Sequence, residues 1–335
     1  MQAAIYGLSE TELLAEERAF FRDAKPAGYI LFRRNIVSKE QLRSLTDSLR
    51  ELEGHDEVPI LIDQEGGRVS RMRPPEWPAF PSGEAFDQLY QLAPSSAIEA
   101  ARVNARALGL MLHEVGVNVD CLPMLDVRQP GATDIVGDRA LGSDPMQVAA
   151  LGKAILDGLA SAGALGVIKH IPGHGRALVD SHHELPIVEE GEDELAIDLE
   201  PFERLRDAPM GMTAHLLYTA WDAERPASQS PFVIKEIIRQ RIGFDGFLMS
   251  DDIGMEALGG DHGTRAAACV AAGCDVALHC DGKMENMLLV ADAVGDISPD
   301  GAARLARAMA MRFIPDDEMD FAEAIAKRDA LLALV

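Results

Sequence analysis

The stretch Gly246–Asp251, with the sequence GFLMSD, begins with four apolar residues and ends in a serine and a carboxylate. A short apolar run of this kind is typical of a strand that is buried on both faces. Similar runs recur along the chain between helix-like stretches, which is the pattern of repeated β/α units. Eight runs can be counted: Ala3–Gly7, Gly28–Phe32, Val58–Asp63, Val117–Cys121, Leu165–His170, Met210–His215, Gly246–Asp251 and Cys274–His279.

Eight such units predict an α/β protein that closes as a single (β/α)8 TIM-type barrel. Several runs are polar only at their last residues, namely Asp63, Lys169-His170, His215, Asp251 and His279. In a catalytic barrel the carboxyl ends of the strands line the active site, so this asymmetry favours an enzyme. An open doubly wound sheet would also bind ligands there, but no Gly-x-Gly-x-x-Gly follows any strand. We therefore expect one catalytic barrel over residues 1–335 and no second domain.

Start signals mark the helices between the strands. Two capping boxes and two serine or aspartate residues followed by proline predict where helices begin. These signals are Ser9-x-x-Glu12, Ser38-x-x-Gln41, Asp144-Pro145 and Ser230-Pro231, and the stretch Asp317–Val335 predicts an amphipathic closing helix. Three long connections rich in glycine and proline, Gly66–Gly83, Arg128–Gly142 and Ile171–Pro186, indicate functional loops.

The composition excludes several classes of protein. The 335 residues are 47% hydrophobic and 26% charged, and no apolar run approaches the roughly 18 residues of a membrane span. Residues Met1–Gly7 lack the basic segment and long apolar core of a signal peptide, so we expect a cytoplasmic protein. The net charge of −24 would repel nucleic acid and anionic lipid, so we expect a small-molecule partner. We expect a monomer.

Four cysteines lie in apolar surroundings and form no Cys-x-x-Cys pair. This arrangement indicates neither a zinc cage nor a redox motif, and it favours buried free thiols.

Two motifs place polar groups beside glycines that let the backbone approach a ligand. In DQEGGRV, residues 63–69, Asp63 could accept hydrogen bonds from substrate hydroxyls, and Arg71 just beyond it could donate a bidentate fork. The alternative is a strand-end carboxylate that caps the next element. In KHIPGHG, residues 169–175, Lys169 and His170 could donate to a polar substrate or bind a metal. For His174, a role in shaping the turn is equally plausible.

The segment DSHH, residues 180–183, sets a carboxylate two residues before an imidazole. Asp180 could fix the tautomer of His182 and make it a proton donor and acceptor, although a solvated loop tip has the same composition. Asp251, at a strand end, could attack an anomeric carbon or bind a metal. The adjacent residue, Asp252, is expected to turn outward and cap the element after this strand.

Two other functions compete with a sugar hydrolase. A metal-dependent amidohydrolase-type barrel would use His170, His215, His279 and Asp251 as ligands, but it needs a His-x-His on the first strand, which the chain lacks. A catalytically inactive sugar-binding barrel would bind N-acetylglucosamine without turnover, although the nucleophile and the Asp-His pair are both present.

Taken together, the motifs resemble those of glycoside hydrolase family 3. The segments DQEGGRV (63–69), KHIPGHG (169–175), DSH (180–182), MTAH (212–215) and SDD (250–252) match in order and content its NagZ-type β-N-acetylhexosaminidase branch. The resemblance spans nearly the whole chain. One small departure is Ile171, which stands where phenylalanine is commoner and should alter packing more than chemistry.

The resemblance implies a role for each matched residue. Asp251 would be the nucleophile and His182 the general acid/base, oriented by Asp180 on a mobile loop. The N-acetylglucosamine ring would be held by Asp63, Arg71, Arg139, Lys169 and His170, where Arg139 is matched through the less distinctive segment GDR. No metal and no other cofactor is implied. The expected substrate is N-acetylglucosaminyl-1,6-anhydro-muramic acid, with or without peptide, from cell-wall recycling, and chito-oligosaccharides are the alternative.

Overall fold

A closed barrel of eight parallel strands forms the centre of the computed structural model, which describes residues 1–131, 133–181, 183–312 and 319–335. Each barrel strand pairs with the barrel strand that follows it along the chain, and the last barrel strand pairs with the first. The predicted TIM-type fold is therefore confirmed. The barrel strands are β1 (Gln2–Gly7), β2 (Pro26–Leu31), β3 (Ile60–Ile62), β4 (Val119–Asp120), β5 (Leu165–Ile171), β7 (Met210–Thr213), β9 (Phe247–Asp252) and β10 (Val276–His279). Two short strands, β6 (Ile187–Val188) and β8 (Leu217–Tyr218), pair with each other outside the barrel.

Helices surround the barrel and alternate with its strands. They are α1 (Ala15–Ala24), α2 (Lys39–Glu53), α3 (Gly83–Leu92), α4 (Pro94–Glu114), α5 (Pro145–Ser161), α6 (Glu192–Arg204), α7 (His262–Ala272), α8 (Met284–Ala293), α9 (Pro299–Ala310) and α10 (Phe321–Leu332). A π-helical segment, Val233–Ile242, and short 3-10 turns at Arg33–Asn35, Gly137–Arg139 and Ala227–Gln229 complete the described elements. Among the described helices, none combines the length and apolar character that crossing a membrane requires.

Three of the four predicted helix starts are confirmed by their hydrogen bonds. The side chains of Ser38, Asp144 and Ser230 each accept a hydrogen bond from the backbone N–H three residues later, at 3.2, 2.9 and 3.2 Å. These bonds satisfy N–H groups that have no partner within the helix. The predicted closing helix is confirmed as α10, and residues 317 and 318 of its predicted range lie outside the described part.

The prediction that a helix starts at Ser9 is wrong. Helix α1 begins at Ala15, because the carboxylate of Glu17 accepts hydrogen bonds from the backbone N–H and the hydroxyl of Ser9 at 2.8 and 2.9 Å. Ser9 thus lies in the turn before the helix and holds that turn against the first helical turn.

The core has an inner and an outer layer that follow the alternation of side chains along each strand. In β9, Phe247 and Met249 belong to the apolar cluster inside the barrel, whereas Leu248 packs outward among the helices. Continuing this alternation turns Asp251 inward, at the carboxyl end of the barrel. All four cysteines are buried free thiols, as predicted.

Candidate active site

A cavity of about 360 Å³, lined by both charged and apolar side chains, opens at the carboxyl end of the barrel. Six predicted site residues line it: Asp63, Arg71, Arg139, Lys169, His170 and Asp251. Asp180 is not among the lining residues, although its neighbour Ser181 is. His182 lies outside the described residues. The three loops predicted to be functional follow β3, β4 and β5, and each contributes residues to the cavity wall.

Carboxylates and cations alternate along one side of the cavity. The ammonium of Lys169 lies 3.1 Å from Asp63 Oδ1 and 2.7 Å from Glu65 Oε1. Arg71 binds the other oxygen of Asp63 at 2.9 Å, and Arg139 binds both oxygens of Glu65 at 2.7 and 2.8 Å. Asp63, Glu65, Lys169 and Arg139 are therefore each held by two partners or by a bidentate contact, which fixes their positions for a ligand. The guanidinium of Arg71 donates to Asp63 and lies over the Phe32 ring, 5.2 Å from the ring centroid.

The charges of this network stabilise one another. Burial alone would raise the pKa of Asp63, but the cations of Lys169 and Arg71 outweigh it and lower that pKa below its usual value. Burial opposes the charge of Glu65 as well, yet Arg139 and Lys169 lower its pKa strongly. The two carboxylates in turn raise the pKa of Lys169 despite its burial. At neutral pH the cavity therefore presents fixed charges, which suit the hydroxyl groups of a sugar.

Two glycines bring Arg71 back to Asp63. Gly66 and Gly67 have φ angles of +99° and +54°, a region that residues with a side chain rarely adopt. The turn is closed by hydrogen bonds from the N–H groups of Glu65 and Gly66 to the carbonyl of Val69, at 2.9 and 3.2 Å. The structure thus brings the two predicted residues of this motif together, and it adds Glu65, which the sequence-based prediction passed over.

A second residue that the sequence-based prediction missed orients His170. Asp126, which is fully buried, accepts from Nδ1 of His170 at 2.7 Å and from the N–H of His174 at 2.6 Å. A carboxylate on Nδ1 fixes the tautomer of the ring and leaves Nε2 available to a ligand. Asp126 lies beyond β4 in LPMLDVR, and only its position at the end of a barrel unit would have indicated it.

Asp251 lies at the inner wall of the cavity and is 7% exposed. Its Oδ1 accepts a hydrogen bond from the N–H of Asp252 at 2.8 Å. Burial would raise the pKa of Asp251, but His170, His215 and this N–H outweigh it and keep the pKa below its usual value. The group is therefore an ionised carboxylate at neutral pH, which a nucleophile requires.

Asp252 only partly follows its prediction. Its Oδ1 accepts from the N–H groups of Gly254 and Cys280 at 2.9 and 3.2 Å, so it caps the turn after β9, as expected. It does not turn fully outward, however, because it lines the cavity beside Asp251.

The loop that carries Asp180 is held against the cavity by Ser181. The backbone oxygen of Ser181 accepts from the N–H of Ala257 at 3.2 Å, and its hydroxyl lies 3.4 Å from Nε2 of His174. Burial lowers the pKa of His174 to about 4, and His170 adds to this effect, so the ring is neutral near pH 7. His174 therefore supports the loop, which agrees with the structural alternative considered for it.

Two strand-end histidines do not reach the cavity, which corrects the sequence-based expectation. His215 is buried with Nδ1 2.7 Å from the Ser228 hydroxyl and Nε2 3.0 Å from the Asp252 carbonyl. His279 lies on the outer face of β10. Within the described residues, the cluster that could hold a metal is His262, His279 and Asp281, so the four ligands of the amidohydrolase alternative do not come together.

We predict that replacing Glu65 with Gln weakens substrate binding. The amide removes the charge that holds Arg139 and Lys169 in place, and hydrogen bonds to charged groups contribute about 1.5–3 kcal/mol each. The KM for an aryl N-acetylglucosaminide, the substrate class that the motif resemblance implies, should rise by about 10- to 100-fold. Steady-state kinetics measure this, with Glu84→Gln on the exposed side of α3 as the matched control. An unchanged KM would show that Glu65 does not position the cations.

Sequence comparison places the chain among known proteins. The family described as "Glycosyl hydrolase family 3 N terminal domain" matches residues 4–306. A beta-hexosaminidase of Aromatoleum aromaticum is 38% identical over 298 residues, which cover 88% of this chain and 83% of the relative. A beta-hexosaminidase of Methylococcus capsulatus is 36% identical, and the match covers 98% of this chain and 94% of the relative.

Structural comparison agrees. The crystal structure of NagZ from Neisseria gonorrhoeae in complex with N-trifluoroacetyl-D-glucosamine matches with a TM-score of 0.85 at 30% sequence identity. The match covers 99% of this chain and 96% of that chain.

Proposed function

The chain belongs to glycosyl hydrolase family 3, as a glycoside hydrolase of the NagZ-type β-N-acetylhexosaminidase kind, and from this premise we propose its reaction. We propose that it is a retaining exo-β-N-acetylglucosaminidase that releases terminal N-acetylglucosamine through a covalent glycosyl ester on Asp251. One observation supports this most directly. Asp251, ionised and nearly buried, shares a single cavity with the fixed charges of Asp63, Arg71, Arg139 and Lys169.

In the first step, a carboxylate oxygen of Asp251 attacks C1 of the N-acetylglucosamine unit while the bond from C1 to the leaving oxygen breaks. The imidazolium of His182 gives its proton to that oxygen, so the aglycone leaves as a neutral alcohol. Asp63, Arg71, Arg139, Lys169 and His170 hold the sugar ring. Because their positions are already fixed by buried contacts, little ordering is required when the sugar binds.

In the second step, neutral His182 takes a proton from water as the water oxygen attacks C1. The ester bond to Asp251 breaks, and the carboxylate is regenerated. We assign to Asp180 the role of accepting from the other ring nitrogen of His182, which would keep the ring in the required tautomer. Two inversions at C1 give retention of configuration, so proton NMR should show the β-anomer of N-acetylglucosamine first. Initial release of the α-anomer would contradict the ester intermediate.

We propose peptidoglycan fragments, in particular N-acetylglucosaminyl-1,6-anhydro-muramic acid with or without peptide, as the natural substrate. This choice rests on the resemblance of the motifs to the NagZ-type branch, which implies a cell-wall recycling substrate, and chito-oligosaccharides are the alternative. The kcat/KM for the anhydro-muramic acid disaccharide should exceed that for chitobiose by at least about tenfold, which needs only about 1.4 kcal/mol of differential binding in the transition state. A higher value for chitobiose would instead indicate chitin salvage. Equal kcat/KM values for the two disaccharides would also contradict cell-wall recycling as the specific role.

We propose the cytoplasm as the site of this reaction and a monomer as the active form. Cell fractionation tests the location, and analytical ultracentrifugation at assay concentration tests the oligomeric state.

A further inference from the structure

Two histidines and a carboxylate meet on the outer face of the last barrel strand, where the proposed mechanism does not use them. His279 ends β10, and its neighbours Leu278 and Cys280 line the catalytic cavity. Because side chains alternate between the two faces of a strand, His279 points away from that cavity. It packs beside Tyr6 and His262, with ring centroids 5.9 and 5.4 Å away.

The three side chains approach the spacing of a metal site. One ligand atom from each of His262, His279 and Asp281 lies within 4.8 Å of the other two. Nε2 of His279 is 3.1 Å from Asp281 Oδ1, and Nε2 of His262 is 3.8 Å from Asp281 Oδ2. Tetrahedral zinc with bonds of about 2.0–2.1 Å sets its ligand atoms about 3.3 Å apart. Small side-chain rotations therefore suffice to close the cluster around a cation.

The buried histidine of this cluster lacks a hydrogen-bond partner. His279 is fully buried, and within the described part of the chain neither of its ring nitrogens makes a hydrogen bond. Nε2 lies 3.1 Å from Asp281 Oδ1, which is itself a member of the cluster. Buried polar atoms are nearly always paired, so an unpaired imidazole facing two potential ligands indicates a bound group.

The carboxylate is held in place from outside the cluster. The N–H of Lys283 donates to Asp281 Oδ1 at 2.7 Å, and the amide of Asn286 donates to Oδ2 at 2.6 Å. Each carboxylate oxygen can accept more than one bond, so both remain able to bind a cation. Outer partners that orient a ligand in this way are typical of metal sites.

We propose that His262, His279 and Asp281 bind a transition-metal cation of the Zn²⁺ class, with solvent completing the coordination on the exposed side. Two imidazoles and one carboxylate suit zinc, cobalt, nickel or copper, whereas Mg²⁺ and Ca²⁺ prefer oxygen ligands alone. The cation joins the first residue of α7 to the end of β10. It thereby restrains the connection from β9 to α7, in which Ala257 binds the backbone of Ser181 beside the cavity.

Calorimetric titration of the chelator-treated full-length protein with Zn²⁺ and with Mg²⁺ tests this site. We expect one equivalent of Zn²⁺ to bind and Mg²⁺ not to bind. Loss of a residue that only hydrogen-bonds to a metal ligand already lowers metal affinity by about 10- to 100-fold. His262→Gln and Asp281→Asn each remove a ligand itself, so each should weaken Zn²⁺ binding by about 100-fold or more. His55→Gln, a change at an exposed histidine far from the cluster, should leave binding unchanged. Co²⁺ should give the visible absorption of a tetrahedral site in the wild type and lose it in both variants.

The cavity also contains histidines and carboxylates, so its contribution is measured separately with Asp251→Asn. The proposal is supported if Asp251→Asn still binds one equivalent of Zn²⁺ and if His262→Gln and Asp281→Asn do not. Retention in either of these two variants, loss in Asp251→Asn, or absence of Zn²⁺ binding to the wild type overturns it. Both substituted positions are partly exposed, and thermal unfolding of the metal-free proteins checks that the variants fold. If one does not fold, the other decides.

Discussion

Replacing Asp251 with Asn should lower kcat/KM for an aryl N-acetylglucosaminide by about 10⁴-fold or more, because an amide cannot form the glycosyl ester. The change is nearly isosteric, and the amide oxygen can still accept from the N–H of Asp252. The charges that hold the sugar are not altered. Binding of N-acetylglucosamine, measured by calorimetry, should therefore remain detectable. A substantial residual rate would refute the assignment of the nucleophile.

The adjacent carboxylate provides the sharpest comparison. Asp252 also lines the cavity, but its Oδ1 is occupied by the N–H groups of Gly254 and Cys280. In Asp252→Asn the amide oxygen can keep both contacts, so we expect a much smaller loss than in Asp251→Asn. A larger loss of kcat/KM in Asp252→Asn than in Asp251→Asn would show that the nucleophile is assigned to the wrong residue of the pair. Asp207→Asn, at an exposed site before β7, controls for the change of net charge.

Rescue by azide separates a missing nucleophile from a damaged fold. In Asp251→Ala, azide can occupy the space of the lost carboxylate and attack C1 as an activated aryl oxide leaves. This single displacement inverts the configuration and should give the α-glycosyl azide. Recovery of the rate with this product, identified by NMR, supports the nucleophilic role. A folded variant that azide does not rescue would argue against it.

The fold was predictable because a barrel repeats one physical pattern eight times. Buried parallel strands are apolar on both faces, and a polar residue at a strand end stands out against them, as in Asp251. The detailed boundaries were less predictable. The run Val58–Asp63 forms a ladder only over Ile60–Ile62. Helix α1 begins at Ala15 and not at the predicted Ser9, because the N–H of Ser9 donates to the carboxylate of Glu17, eight residues further along the chain.

Contacts of the candidate site could be predicted where both interacting residues belong to one motif. They were harder to predict where the interacting residues are distant in sequence. Lys169 and Asp63 were identified from separate motifs, but the contact between them joins residues 106 positions apart. Asp126 orients His170 across 44 positions and belongs to no motif that the sequence made evident. The outward direction of His279 depends on the register of β10 in the closed barrel. A strand-end residue alone does not reveal it.

Replacing His182 with Asn should impair substrates with poor leaving groups far more than activated ones. General acid catalysis contributes about 10²- to 10⁴-fold when the leaving oxygen needs a proton, so kcat/KM for the anhydro-muramic acid disaccharide should fall by that factor. For a dinitrophenyl glycoside, whose phenolate leaves without protonation, the loss in kcat/KM should stay below about tenfold. The comparison uses kcat/KM because this constant reports formation of the glycosyl ester, before His182 acts as a base.

His183 provides the matched control, since it adjoins His182 and its side chain is 82% exposed. His183→Asn should leave both substrates nearly unaffected, and selective loss on poor leaving groups in that variant would transfer the acid role to His183. Equal losses for both substrates in His182→Asn would argue against any acid role. Azide adds an independent test, because it should attack the accumulated ester on Asp251 from the opposite face and give the β-glycosyl azide. That product is the opposite anomer to the one expected from Asp251→Ala, so the two variants together assign nucleophile and acid/base by stereochemistry.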